Sequence, residues 1–457
     1  MKINSTIAAI ATPYGSGGVS IIRISGPQAV EIADRVFRAS SGKALSDVMT
    51  HTIHHGHVTE ASGEVLDEVL ASVMRAPKSY TGEDTVEINC HGGIVVTNSI
   101  LSLILQNGAS LADRGEFTKR AFLNGKLDLS RAEAVIDVIN SKTSLEQHIA
   151  VNHLGGKLSD EIDSLRERLI ALIGHIQVMI DYPDEDLEPM SDEEFESELK
   201  KLYDDSKKLL ETSGKGEIVR EGIQTAIAGK PNVGKSSLLN LLSGQQRAIV
   251  TDVEGTTRDV IEQYVNIGNV TLKLCDTAGI RKTDDEVEAI GVSRSMDYIN
   301  ESDLIIFMAD AVCGLDSNDY DVIKSLEGKK VIALINKSES GSAVSEDEIK
   351  KYFERYIFFS VKNEKGISEL EAHVKELFEL GEIENGGNII TNVRHKEALF
   401  GAVNSIKSAL VTLSDGLSPD MTFIDIEAAI SYLGEITGLT VSEEIVDKIF
   451  HSFCIGK

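Results

Sequence analysis

The chain has 457 residues, 42% of them apolar, and 73 Asp and Glu outweigh 45 Lys and Arg to leave a formal net charge of −28. That balance argues against broad, sequence-blind binding of nucleic acid, and the length suits three or so domains. No apolar run is long enough to span a bilayer and no charged-then-apolar leader opens the sequence, so a soluble cytoplasmic protein is expected.

In chain order, the first elements read as strands. The runs at 6–12 and 19–24 are joined by the glycine turn Gly15-Ser16-Gly17-Gly18. A further strand at 86–90 runs through His91-Gly92-Gly93 into an apolar helix over 94–105. This alternation predicts an α+β or α/β layer of about 120 residues. His51, His54, His55 and His57 lie in a strand-like segment without a helical His pair or a neighbouring cysteine, and read as surface or satisfied side chains rather than metal ligands. Cys90, Cys275, Cys313 and Cys454 likewise lack metal-ligand spacing and read as reduced thiols.

From about 127 to 213 the pattern turns helical, with Leu158, Ile162, Leu165, Leu169, Ile173 and Ile176 at threes and fours. The acidic bend Asp181-Tyr182-Pro183-Asp184-Glu185-Asp186 interrupts it as an exposed corner.

The most informative segment follows. Residues 229–236 read Gly-Lys-Pro-Asn-Val-Gly-Lys-Ser directly after the apolar run 225–228. Gly229 and Gly234 let the backbone curl so that successive N–H groups face anionic oxygens, Lys235 brings a point charge to the outer phosphates, and the Ser236 hydroxyl suits Mg²⁺. The helix beginning near Ser237 aims its positive dipole end at the same place. Downstream come Gly255-Thr256-Thr257-Arg258-Asp259, then Asp276-Thr277-Ala278-Gly279 after a strand at 270–275. Asn336-Lys337-Ser338-Glu339 closes a strand at 331–335, and Ser360-Val361-Lys362 closes one at 356–359. Motifs at the carboxyl ends of apolar strands are what a doubly wound sheet uses to bind ligands. Their order and spacing look like those of a GTPase domain, in which Thr257 is the second Mg²⁺ ligand, Asp276 reaches the metal through water, and Asn336, Lys337 and the 360–362 turn frame the base.

Two positions depart from the usual pattern. Glu339 stands where GTPases generally carry Asp, one methylene longer toward the guanine edge. Ile280 follows Gly279 where many signalling GTPases place a water-orienting Gln, so hydrolysis needs another polar group and another source of positive charge. A monovalent cation at Asn232, with backbone carbonyls from 251–256, would do what an arginine finger does. The run Asp284-Asp285-Glu286-Val287-Glu288 offers a carboxylate to position water. After the connector at 381–388, helical spacing resumes in Leu399, Val403, Ile406 and Leu410 and again over 424–450, so the nucleotide domain reads as an insertion into a helical one.

At this point the chain resembles the family of tRNA modification GTPases called MnmE or TrmE. The likeness is carried by the nucleotide motifs and by Arg23-Ile24-Ser25-Gly26-Pro27, Tyr80-Thr81-Gly82-Glu83-Asp84, His91-Gly92-Gly93, Arg114-Gly115-Glu116-Phe117, the stretch 121–128 and Cys454-Ile455-Gly456-Lys457. The resemblance implies an N-terminal folate-binding and dimerisation domain over 1–120, a helical domain over 121–215 and 381–457, and a P-loop G domain over 222–380: a multidomain α/β plus α fold. It implies nucleotide contacts along Asn232, Val233, Gly234, Lys235, Ser236 and Ser237, through Thr251, Asp252, Val253, Glu254, Gly255, Thr256 and Thr257, and at Asp276, Thr277, Ala278 and Gly279. The base-side contacts are Asn336, Lys337, Glu339, Ser360, Val361 and Lys362. By the same likeness K⁺ falls on Asn232, Thr251, Val253 and Thr256, Mg²⁺ on Ser236 and Thr257, and the catalytic glutamate is Glu288. A reduced folate falls on Arg23, Glu87, Lys126 and Lys457, each of which reads from sequence alone as a surface charge; Ser16 stands where relatives often carry Arg.

Cys454 reads by default as a buried thiol at a helix end, since Gly and a final Lys are wrong for prenylation; the resemblance gives it an active role in modification. The implied function is a homodimeric, K⁺-dependent GTPase. With a flavoprotein partner, MnmG, carrying FAD, it would install an aminomethyl or carboxymethylaminomethyl group at C5 of the wobble uridine of certain tRNAs. A ribosome-assembly GTPase is the alternative, disfavoured because no basic RNA-binding domain accompanies the nucleotide motifs. A self-sufficient folate transferase with a regulatory G domain is another.

Overall fold

The computed structural model describes residues 5–181, 190–245, 263–274, 299–381 and 388–457. Its contacts divide the chain into two compact units, one of residues 1–136, 153–166 and 431–457, the other of residues 137–152 and 167–430.

The first unit is built on a seven-stranded sheet of order β3-β4-β5-β6-β2-β1-β7. Its strands are β1 (Ile7–Ile10), β2 (Val19–Ser25), β3 (Phe37–Ala39), β4 (Thr52–Thr59), β5 (Val65–Met74), β6 (Thr85–His91) and β7 (Ser110–Leu111). All neighbours pair antiparallel except β1 with β7. Side chains alternate along a strand, so in β2 Ile22 and Ile24 enter the core while Arg23 faces the other way. Helices Ala29–Val36 and Ile94–Gln106 cover the Ile22–Ile24 face. The first does so with a stripe of Ala29, Val30, Ile32, Ala33 and Val36, spaced for one side of a helix. Each fully buried Ile or Val of that stripe contributes roughly 1.5–3 kcal/mol. On the opposite face Ile7, Ala9, Ala112 and Phe117 make a smaller cluster against Tyr80. Leu129, Ala132, Val446, Phe450 and Phe453 form a third, joining helix Leu129–Asn140 to helix Glu443–His451.

The second unit holds a six-stranded sheet of order β13-β12-β11-β8-β10-β9. The strands are β8 (Ile223–Ala228), β9 (Gln263–Ile267), β10 (Val270–Leu274), β11 (Leu304–Asp310), β12 (Val331–Asn336) and β13 (Tyr356–Phe358). All neighbours are parallel except the edge pair β9–β10. Buried clusters lie on both faces, as a doubly wound sheet requires. The order reverses at β8, since the chain leaves it for β9 and β10 on one side and returns to β11 on the other. That is the switch point where such sheets bind ligands. The same unit contains helix Asp192–Glu211, started by a Ser191–Glu194 capping box, whose Phe195, Leu199, Leu202 and Leu209 are buried. It packs on helix Val393–Ser414.

The structure refines several expectations. Among the described residues the helical stretch comprises helices Leu129–Asn140, Ser144–Leu154, Lys157–Asp181 and Asp192–Glu211. Strands β3, β5, β7, β9 and β11 go unread in the sequence. Cys454 is exposed, which corrects the buried-thiol default: the chain leaves the helix at His451 and buries Phe453 instead. His54 and His55 are hydrogen-bonded to Thr52 and Glu68. Most of the acidic bend and of the 381–388 connector lies outside the described residues. No helix among the described residues is long and apolar enough to cross a membrane.

Candidate functional site

The phosphate loop leaves β8 and turns into helix Lys235–Gln245. Three features give it its curl. Asn232 has a left-handed backbone (φ 65°), Gly234 has φ 108°, and the Val233 side chain is buried in the core below. The Lys235 ammonium folds back to donate to the carbonyls of Gly229 and Lys230, the latter at 2.7 Å. Burial there pushes its pKa down, which raises the gain from an anion beside it. Asn232, Ser236 and Ser237 are exposed on the loop. Amide and hydroxyl oxygens are the donors that hard cations take, so Asn232 and Ser236 fit K⁺ and Mg²⁺ respectively.

The base-side motif closes on the same loop. Asn336, buried at the end of β12, donates through its amide to the Val233 carbonyl at 2.8 Å and accepts from the Val361 N–H at 3.1 Å. One side chain thus ties the phosphate loop to the 360–362 turn. Lys337, with φ 65°, donates to Asp310 Oδ2 at 2.6 Å and to the Asn232 carbonyl at 3.4 Å. Burial alone would raise the Asp310 carboxyl, but the Lys337 ammonium and the N–H groups of Val312 and Cys313 hold it below its usual range. The Ser338 hydroxyl and N–H both donate to the Phe359 carbonyl, at 2.9 and 3.2 Å, fixing the two turns to one another. Glu339, in the single turn Ser338–Ser340, accepts from the Ser360 hydroxyl, which with Lys362 and Lys337 holds its carboxyl low. The longer carboxylate is therefore anchored beside the 360–362 turn.

Of the expected nucleotide contacts, the structure brings together Asn232, Val233, Gly234, Lys235, Asn336, Lys337, Glu339, Ser360 and Val361, with Ser236, Ser237 and Lys362 adjacent in the chain. Thr251, Asp252, Val253, Glu254, Gly255, Thr256, Thr257, Asp276, Thr277, Ala278, Gly279 and Glu288 lie outside the described residues. Asp310 is a member of the site that sequence reading misses, although an acid ending an apolar run is a signal for it.

A second constellation lies in the first unit. Register pairs Arg23 of β2 directly with Glu87 of β6, and Arg23 Nε donates to Glu87 Oε1 at 2.8 Å with the side chains 16% and 22% exposed. Its guanidinium lies 5.6 Å from the Tyr80 ring centroid and 5.5 Å from that of Phe117, and donates to the Gly456 carbonyl at 3.4 Å. The Phe117 N–H donates to the Lys457 carbonyl at 3.2 Å. Arg23, Glu87 and the 454–457 segment are thus assembled, with Tyr80 and Phe117 as an aromatic wall that sequence reading leaves without a role. Lys126 donates to the Pro77 carbonyl at 3.1 Å, beside the 80–84 turn rather than against Arg23. Behind the wall, buried Arg120 pairs with Glu83 at 3.1 Å and Glu116 at 2.8 Å, bracing that turn.

A phosphate loop at the switch point of a doubly wound sheet, closed by an Asn-Lys pair from the end of β12, two strands away, defines a P-loop nucleotide-binding protein of the GTPase class. A family model described as the MnmE helical domain matches residues 129–454, and one described as the GTP-binding protein TrmE N-terminus matches residues 6–126. The tRNA modification GTPase MnmE of Clostridioides difficile (strain 630) is 46% identical over 460 residues, covering 100% of each chain. That of Acetivibrio thermocellus is 49% identical over 461 residues, again with 100% of each. The G domain of the T. maritima FeoB iron transporter is 27% identical, covering 34% of this chain and 96% of its own, with a TM-score of 0.27. The chain belongs to the MnmE family of tRNA modification GTPases.

Proposed function

We propose that this protein is a cytoplasmic, homodimeric, K⁺-dependent GTPase. With a flavoprotein partner of the MnmG type carrying FAD, it adds an aminomethyl or carboxymethylaminomethyl group to C5 of the wobble uridine of certain tRNAs, drawing the one-carbon unit from a reduced folate. The observation that carries this reading is the full-length likeness to tRNA modification GTPases, in a chain whose phosphate loop and Asn336-Lys337 pair are intact. In this reading Lys235 and the loop N–H groups hold the phosphates, Ser236 and Thr257 hold Mg²⁺, and Asn336, Lys337, Glu339 and the 360–362 turn hold guanine. Asn232, Thr251, Val253 and Thr256 hold K⁺, and Glu288 positions the attacking water. The two cations supply positive charge where it develops on the γ-phosphoryl oxygens, the service an arginine finger renders elsewhere. Arg23, Lys126 and Lys457 suit the carboxylates of a folate tail, and Glu87 suits its hydrogen-bond donors. The division into folate-binding, helical and inserted G domains gives hydrolysis a body to move.

Replacing K⁺ by Na⁺ at equal ionic strength is expected to slow GTP hydrolysis at least tenfold, by analogy with the loss of an oxyanion contact; equal rates would remove the cation from the mechanism. Glu288→Ala should bind GTP normally yet hydrolyse it roughly a hundredfold more slowly, and single-turnover kinetics with unchanged rates would exclude Glu288. Mass spectrometry of tRNA nucleosides from cells lacking the gene should show wobble uridines without the C5 group; their persistence would sink the modification role.

A further inference from the structure

Lys230, the second residue of the phosphate loop, has no part in the function proposed for that loop, yet its ammonium is tied to two carboxylates. Its ammonium lies 2.7 Å from Asp316 Oδ2 and 2.7 Å from Asp319 Oδ2. The two carboxylates differ. Asp316 is half exposed, where an ion pair is worth little. Asp319 has no exposed side-chain surface, and its Oδ1 is buried without a hydrogen-bond partner among the described residues. Asp319 stands at the third position of helix Ser317–Ser325. There its Oδ2 also accepts the Asp316 N–H at 3.1 Å, while Asp316 Oδ1 caps the N–H groups of Asn318 and Asp319. The carboxylate is thus locked to a helix start, and the lysine is locked to the carboxylate.

At its other end Lys230 touches the phosphate chemistry directly. Its backbone carbonyl accepts the Lys235 ammonium. A residue fixed at its side chain and used at its carbonyl sets the direction in which the loop leaves β8. With two of its three N–H donors committed, Lys230 is poorly placed to bind phosphate itself. A buried pair of this kind adds little net stability, because desolvation offsets attraction, but it selects one conformation over its alternatives. When phosphates draw Lys235 off the carbonyls of Gly229 and Lys230, the link to Asp319 is what still holds the start of the loop in place.

We propose that Asp319, acting through Lys230, is a positioning residue for nucleotide binding: it keeps the first turn of the phosphate loop in the curl that the phosphates require. The inference rests on the GTPase reading of that loop. Titration of the full-length protein with a fluorescent GDP analogue tests it. Lys230→Met and Asp319→Asn should each raise Kd about tenfold, and the double variant should be no more than about threefold worse than the weaker single, as expected of two residues in one interaction. KM for GTP should rise with Kd while kcat falls less, and Lys230→Arg should come back to within about threefold of the parent, since its guanidinium can also engage the carboxylate. Unchanged affinity in either single variant, or losses that simply add, overturns the proposal. Should Asp319→Asn fail to fold, Lys230→Met decides alone, because it leaves both capping carboxylates in place; full affinity there overturns the idea. A parent protein that binds no guanine nucleotide overturns the GTPase reading as well, whereas a parent that binds normally beside indifferent variants overturns the positioning role only.

Discussion

Alanine at Gly234 should weaken guanine-nucleotide binding at least about a hundredfold while leaving the chain folded. The position has φ 108°, a region that an L-residue enters at a cost of roughly 1–3 kcal/mol. Strain is only one part. A Cβ built there meets the Asn336 Nδ2 at 2.4 Å, far inside contact distance, and Asn336 has nowhere to retreat because it is only 3% exposed. Pushing it aside breaks its bond to the Val233 carbonyl and its bond from the Val361 N–H. Each lost bond costs about 1 kcal/mol net, and more where the group left behind is buried and unpaired. The sum, on the order of 3–5 kcal/mol, corresponds to a loss of affinity of about two to three and a half orders of magnitude. The effect reaches both ends of the nucleotide, because one methyl group displaces the residue that links the phosphate loop to the base-side turn. Equilibrium titration with a fluorescent GDP analogue, beside far-ultraviolet circular dichroism to establish the fold, measures it. Affinity within tenfold of the parent would mean that the Asn336 bridge is dispensable.

What the sequence discloses depends on how local each physical demand is. The phosphate loop is legible because eight adjacent residues carry every requirement: glycines for the curl, a lysine for charge, a hydroxyl for metal, and a strand and helix on either side. Strand β11 is not legible in the same way. Leu304–Asp310 is buried along its whole length, so it shows no alternation, and a short apolar run between turns does not announce whether it is strand or helix. With the strand unread, Asp310 is overlooked, and with it the ion pair that orients Lys337 toward the loop. The link from Lys230 to Asp319 crosses 89 residues (319 − 230) and has no pattern in either segment. Arg23 and Glu87 are instructive in another way. Each alone reads as a surface charge, and the family likeness names both. What makes them a site is the antiparallel register of β2 and β6, which sets them opposite each other, and the Tyr80 and Phe117 rings that exclude water on one side. Cys454 shows the reverse error, where the preference of cysteine for burial is overridden because Phe453 takes the buried position beside it.

The same geometry predicts that Gly456→Ala will separate the two chemistries. Gly456 has φ 93°, and a Cβ on it would lie 2.1 Å from the Ile10 carbonyl and 3.0 Å from the Ala11 Cα. Both are backbone atoms at the end of β1, which is fixed in the sheet between β2 and β7, so the 454–457 segment must move instead. That segment is held by few interactions: the Arg23 contact to the Gly456 carbonyl, the N–H groups of Gly115 and Phe117 donating to the carbonyls of Cys454 and Lys457, and an isolated bridge between Arg114 and Ile455. Four contacts at about 1 kcal/mol each do not outweigh a collision with backbone. Lys457 and Cys454 would leave the Arg23–Glu87 site together. Affinity for a tetrahydrofolate derivative, measured by calorimetry, should fall at least about tenfold, the loss expected when the displaced segment takes one charged hydrogen bond to the ligand with it. Wobble-uridine modification should fall with it. GTP hydrolysis should stay within about threefold of the parent, since Gly234, Lys235 and Asn336 belong to the other compact unit, which is built on a sheet and buried clusters of its own. Folate affinity that survives in Gly456→Ala would detach the 454–457 segment from the proposed folate site. A collapse of GTP hydrolysis in parallel would mean that the two sites are energetically one.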